Sequence, residues 1–116
     1  MLQEVKDKWL AALRSGEYEQ GTQMLCSIEN QFCCLGVITD LYIKEHEGEA
    51  WEINSSTFKN FYGNSTYLIP KVMDWTNLKE FNPSIVLESG ERKTLSDLND
   101  KGYTFSEIAD LIERYL

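Results

Sequence analysis

The stretch Gln31-Phe-Cys-Cys-Leu-Gly-Val-Ile-Thr-Asp-Leu-Tyr-Ile-Lys-Glu45 changes its hydrophobic pattern partway along. Residues 31–34 follow a turn at Glu29-Asn30 and are predicted to form a short strand. From Leu35 onward the apolar residues recur at helical spacing as far as about Glu45, and Gly48 then ends the pattern. Because β-branched side chains weaken this helix intrinsically, we expect it to depend on packing against the rest of the chain.

Helices are also predicted at both ends of the chain. Residues 2–14 carry an amphipathic pattern that stops near Gly16, and residues 17–22 are predicted to be a polar loop. Thr104 and Glu107 match a capping box, and a clean apolar stripe follows them. Two shorter helices are expected to begin near residues 70 and 94, and further strands are expected at 23–28, 51–53, 66–69 and 85–88.

These elements predict a single α+β domain over residues 1–116. Its expected architecture is a small antiparallel sheet of four to five strands, packed with N-terminal, central and C-terminal helices. A chain of 116 residues suits one domain with a hydrophobic core of its own.

The net charge indicates which classes of partner to expect, and the cysteine content indicates the cellular compartment. Net charge is −8, from 19 acidic against 11 basic residues, and clustered Lys and Arg are lacking, so direct binding of nucleic acid is not expected. Cys26, Cys33 and Cys34 are an odd number with an adjacent pair, a poor disulfide framework that favours free thiols and a reducing cytoplasm. We expect no leader peptide and no membrane span.

Several stretches resemble a group of short proteins encoded by phages and prophages. In chain order they are Trp9–Gly16, Tyr18 with Gln20-Gly21, Phe32–Val37 (FCCLGV) with Asp40, and the segment from Leu98-Asn-Asp100 through Gly102 to Thr104–Asp110. The resemblance implies a phage accessory gene of the host cytoplasm and no particular chemistry. By analogy it suggests a counter-defence factor that sequesters a signal molecule or blocks one host protein.

Cys33 and Cys34 are the candidate reactive thiols. They lie where the predicted strand ends and the predicted helix begins, and a helix N-terminus stabilises a thiolate. The single histidine, His46, would lie about 18 Å further along that helix, too far to act as the base. The alternative is that both thiols fill the core, as cysteines commonly do. Adjacent cysteines point to opposite faces of a strand, so neither a metal site nor another cofactor is expected.

The middle of the chain combines aromatic rings with amides and hydroxyls, which suits a small polar ring compound. Two adjacent basic residues in the last third are candidates for holding a phosphate. The candidate ligand-binding residues are Trp51, Phe58, Tyr62, Tyr67, Arg92 and Lys93. The alternative is that the rings close the hydrophobic core around a long loop.

Three functional hypotheses follow from these features. The first is a non-enzymatic binding protein that sequesters a small nucleotide-like signal molecule. The second is an acidic inhibitor that binds a host protein, for which a basic nucleic-acid-binding face would be complementary. The third is a cysteine-dependent enzyme, and an enzyme is the less favoured class.

Paired carboxylates such as Asp40, Asp97 and Asp100 are expected by chance in so acidic a chain, so they do not indicate acid–base catalysis. The oligomeric state stays open, and a homo-oligomer is one of the alternatives.

Overall fold

The computed structural model describes all residues, 1–116, and contains five helices and four short strands. The helices are α1 (Gln3–Arg14), α2 (Cys34–Glu45), α3 (Pro70–Thr76), α4 (Leu95–Asp100) and α5 (Phe105–Tyr115). The strands are β1 (Glu19–Gln20), β2 (Gln31–Phe32), β3 (Ser84–Val86) and β4 (Arg92–Thr94). An α+β fold with N-terminal, central and C-terminal helices is therefore confirmed.

The strands form two separate two-stranded sheets in place of the expected antiparallel sheet of four to five strands. β1 pairs in parallel with β2, and β3 pairs antiparallel with β4. The polar loop predicted over residues 17–22 thus contains a strand, which Gly21 extends by donating its N–H to the carbonyl of Phe32 over 2.7 Å.

Three segments predicted as strands form no regular ladder. Residues 23–28 and 51–53 make only isolated bridges, and residues 66–69 make none. Their backbone groups bond instead to scattered partners along the chain, as when Leu25 donates its N–H to the carbonyl of Ser65 and Lys59 donates to the carbonyl of Cys26. Side-chain alternation indicates an extended chain, but a sheet also requires a neighbouring strand in register.

Helix α2 runs through the middle of the core. Every residue from Cys34 to Asp40 is buried, and so is Tyr42. Because residues 34–40 of α2 are buried on every side, other elements must surround this part of the helix, and α1, α3 and α4 pack against it. The sequence-based expectation that this helix depends on packing is consistent with that burial.

Gly36 permits the closest backbone approach in this core. A Cβ atom at this position would lie 1.7 Å from the carbonyl oxygen of Leu25, well inside the contact distance of two heavy atoms. Only glycine lets the first turn of α2 press against the chain that leads into β2. Trp9 of α1, fully buried, also packs at the start of α2 and donates its indole N–H to the carbonyl of Cys34 over 3.1 Å.

The C-terminal quarter is organised by two helix caps. The hydroxyl of Thr94 accepts the N–H of Asp97 and starts α4. Thr104 and Glu107 form the reciprocal capping box of α5, as the sequence predicts. The buried stripe of α5 packs on α1, so the two ends of the chain cover one side of the core.

Replacing Gly36 with alanine tests the close approach. Gly-to-Ala in a helix interior normally raises the free energy of unfolding by about 0.5–1 kcal/mol. Here we expect a loss of about 1–3 kcal/mol, because the new methyl group overpacks the contact with Leu25. Urea denaturation measures the change. Ala11→Gly, at an exposed position of α1, calibrates helix propensity in the same chain, and an unchanged or raised stability in Gly36→Ala would contradict the contact.

Candidate functional site

A cleft of about 480 Å³ opens beside β1, β2 and α2. Three aromatic side chains line it: Tyr18, Phe32 and Trp51. Asn30 and six charged residues complete the lining: Glu17, Glu19, Glu29, Asp40, Lys44 and Lys59. We call this site the Trp51 cleft.

The three rings stand at steep angles to one another. Tyr18 and Phe32 meet edge to face, with centroids 5.0 Å apart and planes at 87°. Phe32 and Trp51 lie 6.4 Å apart with planes at 59°. Edge-to-face contacts are the favoured geometry for aromatic pairs, so the walls of the cleft support one another.

Asp40 is the polar anchor of the Trp51 cleft. It lies on α2, its exposed fraction is 8 %, and both carboxylate oxygens are occupied. One oxygen accepts from the Tyr18 hydroxyl over 2.6 Å and lies 3.1 Å from the ammonium of Lys44. The other accepts the indole N–H of Trp51 over 2.9 Å. A buried carboxylate requires such partners, and this one thereby joins three separate segments of the chain.

Two titratable groups beside Asp40 are shifted by this environment. Burial, reinforced by the hydrogen bond to Asp40, raises the pKa of Tyr18 to about 12, so the phenol stays protonated. The hydrogen bond with Tyr18, together with Asp40, raises the pKa of Lys44. The cleft therefore holds a neutral phenol and a charged ammonium at neutral pH.

A family model described as a domain of unknown function, DUF8296, matches residues 1–116. The chain belongs to the DUF8296 family. No curated protein and no solved structure matches it. None of the helices in this DUF8296 chain has the length and apolar character needed to cross a membrane.

Of the aromatic residues proposed from the sequence, the structure brings only Trp51 into the cleft. Phe58 is half-buried and its backbone bridges to Ser27. Tyr62 and Tyr67 are exposed, and neither lines the Trp51 cleft. The aromatic middle is thus divided between the cleft, the core and the surface.

Tyr62 belongs to a separate polar cluster. Its hydroxyl donates to Glu49 over 2.6 Å, and the ammonium of Lys71 lies within hydrogen-bond distance of both groups. Tyr62 has a φ of 51°, which is unusual for a bulky residue, and it forms a tight turn with Gly63. These contacts hold the Tyr62 ring at the surface of the protein, which explains why the ring is exposed.

The two candidate phosphate-binding residues lie on β4, away from the residues that line the cleft. Arg92 donates to the hydroxyl of Ser84, and Lys93 forms an ion pair with Glu91 over 3.5 Å. The cleft has its own two lysines against four carboxylates, which leaves a formal charge of −2. The charge of the Trp51 cleft therefore disfavours a ligand with several phosphates.

The thiols of the DUF8296 chain are free and buried. Exposed fractions are 2 % for Cys33 and 0 % for Cys34, and no disulfide is present. Burial raises the pKa of Cys33 to about 11, although the N–H groups of Gly36 and Leu35 oppose the shift. Burial also raises the pKa of Cys34 well above its ordinary value. Cys33 is the N-cap of α2, but desolvation outweighs the helix terminus, so the core interpretation is favoured over a reactive thiolate.

His46 lies at the far end of α2, where it caps the helix and stacks on Tyr42 with centroids 3.9 Å apart. It is not placed to take a proton from Cys33 or Cys34. No group of three or more His, Cys, Asp or Glu side chains is arranged to hold a metal ion.

Sequence analysis missed the importance of Tyr18, Asp40 and Lys44. Asp40 enters the sequence analysis only as part of the resemblance and as one of many acids, yet it occupies a buried position on α2. An acid at such a position indicates a partnered site, because a carboxylate on a surrounded helix needs a hydrogen-bond or ion-pair partner. Tyr18 belongs to the stretches that carry the resemblance, but it lies in a segment predicted to be a polar loop, and no pattern of residues indicated its contact with Asp40.

The burial of the thiols predicts slow chemical modification. We expect iodoacetamide to leave the folded chain unlabelled over a period in which the chain in concentrated guanidinium chloride gains three labels, as counted by mass spectrometry. Because the folded pKa of Cys33 is raised from 9.0 to about 11, its contribution to stability is present below pH 9 and is lost as the pH rises through 11. Rapid labelling of Cys33 or Cys34 without unfolding would contradict this burial.

Replacing Asp40 with asparagine tests the anchor. The amide offers one acceptor in place of two and turns an N–H₂ group toward a donor, so we expect a loss of about 1–3 kcal/mol in the free energy of unfolding. The pKa of Tyr18 should fall at the same time, since Asp40 contributes to raising it. Denaturant titration and an NMR pH titration of Tyr18 measure both effects. Asp74→Asn, an exposed acid outside the cleft, is the control and should change neither quantity.

Proposed function

We propose that this DUF8296 protein is a non-enzymatic accessory binding protein that captures a small planar molecule in the Trp51 cleft. The observation that carries the proposal is the lining of one cleft by the three rings of Tyr18, Phe32 and Trp51, two of which are hydrogen-bonded to the buried Asp40. The volume of about 480 Å³ lies within the range typical of small-molecule sites, about 300–1,000 Å³.

The lining supports a ring compound with polar edges. Ring faces offer stacking, Asn30 provides an amide, and Lys59 and the carboxylates provide donors and acceptors at the mouth. A nucleobase or nucleoside has this combination of a flat face and hydrogen-bonding edges. The proposed ligand class therefore includes a nucleotide-like signal molecule. Because the cleft has a formal charge of −2, this ligand would carry few phosphates.

The biological setting follows from the resemblance to phage-encoded proteins. We infer a phage-type factor that acts in the host cytoplasm and opposes a defence pathway by sequestering its signal. Sequestration needs a site that binds a ligand without transforming it, and the Trp51 cleft has no activated nucleophile beside it. The buried, protonated thiols lie outside the lining, so the geometry gives the cysteine-enzyme alternative no support.

Inhibition of a host protein is the second candidate. It would need acids gathered on one face, but the acids of the ion pairs are spread over α1, α2, α4 and α5 and the loops between helices and strands. Three carboxylates at the mouth of the cleft, Glu17, Glu19 and Glu29, are the local concentration that favours it. The Trp51 cleft supports ligand capture more directly than these three acids support inhibition of a host protein.

Titration with ring compounds tests the proposal. The probes are adenosine, cytidine, adenosine monophosphate and benzamidine, and the readout is the indole N–H signal of Trp51 in ¹H–¹⁵N spectra. We expect at least one probe to shift this signal in a saturable manner, with adenosine binding better than its monophosphate. If none of the four shifts it, the proposed function is wrong.

Two substitutions of Trp51 locate the binding in the cleft, and their affinities are measured by isothermal titration calorimetry because these variants lack the Trp51 indole signal. Trp51→Leu removes the aromatic wall and should weaken binding about fivefold or more, in line with the stacking energy of a base on an aromatic side chain, about 1–3 kcal/mol. Trp51→Phe retains a ring and should bind more tightly than Trp51→Leu. Tyr67→Leu removes an exposed ring outside the cleft and should bind as the unmodified chain does.

A further inference from the structure

A cation already occupies part of the Trp51 cleft. The ammonium of Lys44 lies 5.0 Å from the centroid of the Tyr18 ring, and it contacts both the Tyr18 hydroxyl and Asp40 at 3.1 Å. This is a cation–π contact supported by a carboxylate. Lys44 thus engages the Tyr18 ring, which leaves Phe32 and Trp51 as the aromatic walls open to a ligand.

The mouth of the cleft has negative charge that the chain does not neutralise. Glu17, Glu19 and Glu29 are exposed, and none of them takes part in an ion pair. Glu19 accepts one hydrogen bond from the amide of Gln31 over 3.1 Å. The positive charge of Lys44 is matched by Asp40, and that of Lys59 offsets one of these three acids, so the cleft retains a formal charge of −2.

We propose that the Trp51 cleft selects a planar cation of the guanidinium type. This inference rests on the proposed function and narrows its ligand class. The indole of Trp51 offers the aromatic side chain best suited to a cation, and the carboxylates at the mouth accept N–H donors. Asp40 is saturated by its three partners, so the ligand is bound by the exposed acids and the rings.

The shape of the cleft favours a guanidinium over an ammonium group. A guanidinium is flat and weakly hydrated, stacks on aromatic faces and donates two parallel hydrogen bonds to one carboxylate. An ammonium is a compact, strongly hydrated charge and lacks a face to stack. Walls formed by Phe32 and Trp51 with planes at 59° suit a flat group placed beside them.

Matched ligands separate charge from shape. Nα-acetyl-arginine amide carries the cation, and Nα-acetyl-citrulline amide has nearly the same shape without the charge. We expect the arginine amide to bind at least about fivefold more tightly, a difference of about 1 kcal/mol. Binding should weaken as sodium chloride is raised, because the acids at the mouth are exposed to solvent.

The double substitution Glu17→Gln and Glu29→Gln tests the acids. Neither side chain makes a hydrogen bond or ion pair in the folded chain, so the variant should remain folded. Affinity for the arginine amide should fall at least about threefold, while affinity for the citrulline amide should not change. Glu47→Gln, an exposed acid outside the lining, is the control and should leave both affinities as they are.

A guanidinium has two sources, a free small molecule or an arginine side chain of a host protein. Agmatine and the peptide acetyl-Gly-Arg-Gly-amide represent them, and the tighter binder identifies the source. Equal binding of arginine and citrulline amides, or binding of nucleosides alone, would overturn the charge selection and leave the binding function standing. Failure of every probe to shift the Trp51 indole signal would overturn both.

Discussion

The contact between the first turn of α2 and the backbone at Leu25 is the constraint on which the rest of the structure depends. Gly36 has no side chain, so the helix can lie against a carbonyl that any Cβ atom would strike at 1.7 Å. With the backbone at Leu25 against Gly36 and Trp9 bonded to the carbonyl of Cys34, α2 is buried from Cys34 to Asp40. The remaining helices and strands are arranged around it.

Burial of α2 has a direct consequence for Asp40. A carboxylate in a surrounded helix must be hydrogen-bonded, and Asp40 obtains its partners from Tyr18, Lys44 and Trp51. No buried side-chain nitrogen or oxygen in the chain is left without a partner. The same bonds that satisfy Asp40 also set the positions of two aromatic walls, so core packing and the shape of the Trp51 cleft have one origin.

The sequence predicted those parts of the fold that are determined locally. α1 and α5 follow from helical periodicity, and the caps at Thr94 and Thr104 follow from hydroxyl and carboxylate spacing. The sheets were not predictable in this way, because β1 pairs with β2 in parallel through residues 12 positions apart along the chain. Local alternation in residues 23–28 could not reveal that their partners are scattered loop carbonyls and amides.

The site was predictable to a smaller degree for the same reason. Trp51 was identified from composition, but Tyr67 and Arg92 lie elsewhere on the surface, since the pattern along a loop does not determine which side chains converge. Tyr18 and Asp40 meet across 22 positions, and only the packing of α2 brings them together.

Whether the cleft holds a molecule in the cell is measured most directly by native mass spectrometry of the tagged chain purified from cell lysate. The account predicts a small adduct that is lost on unfolding and absent from Trp51→Leu. A bare chain, or the same adduct on both chains, would contradict it.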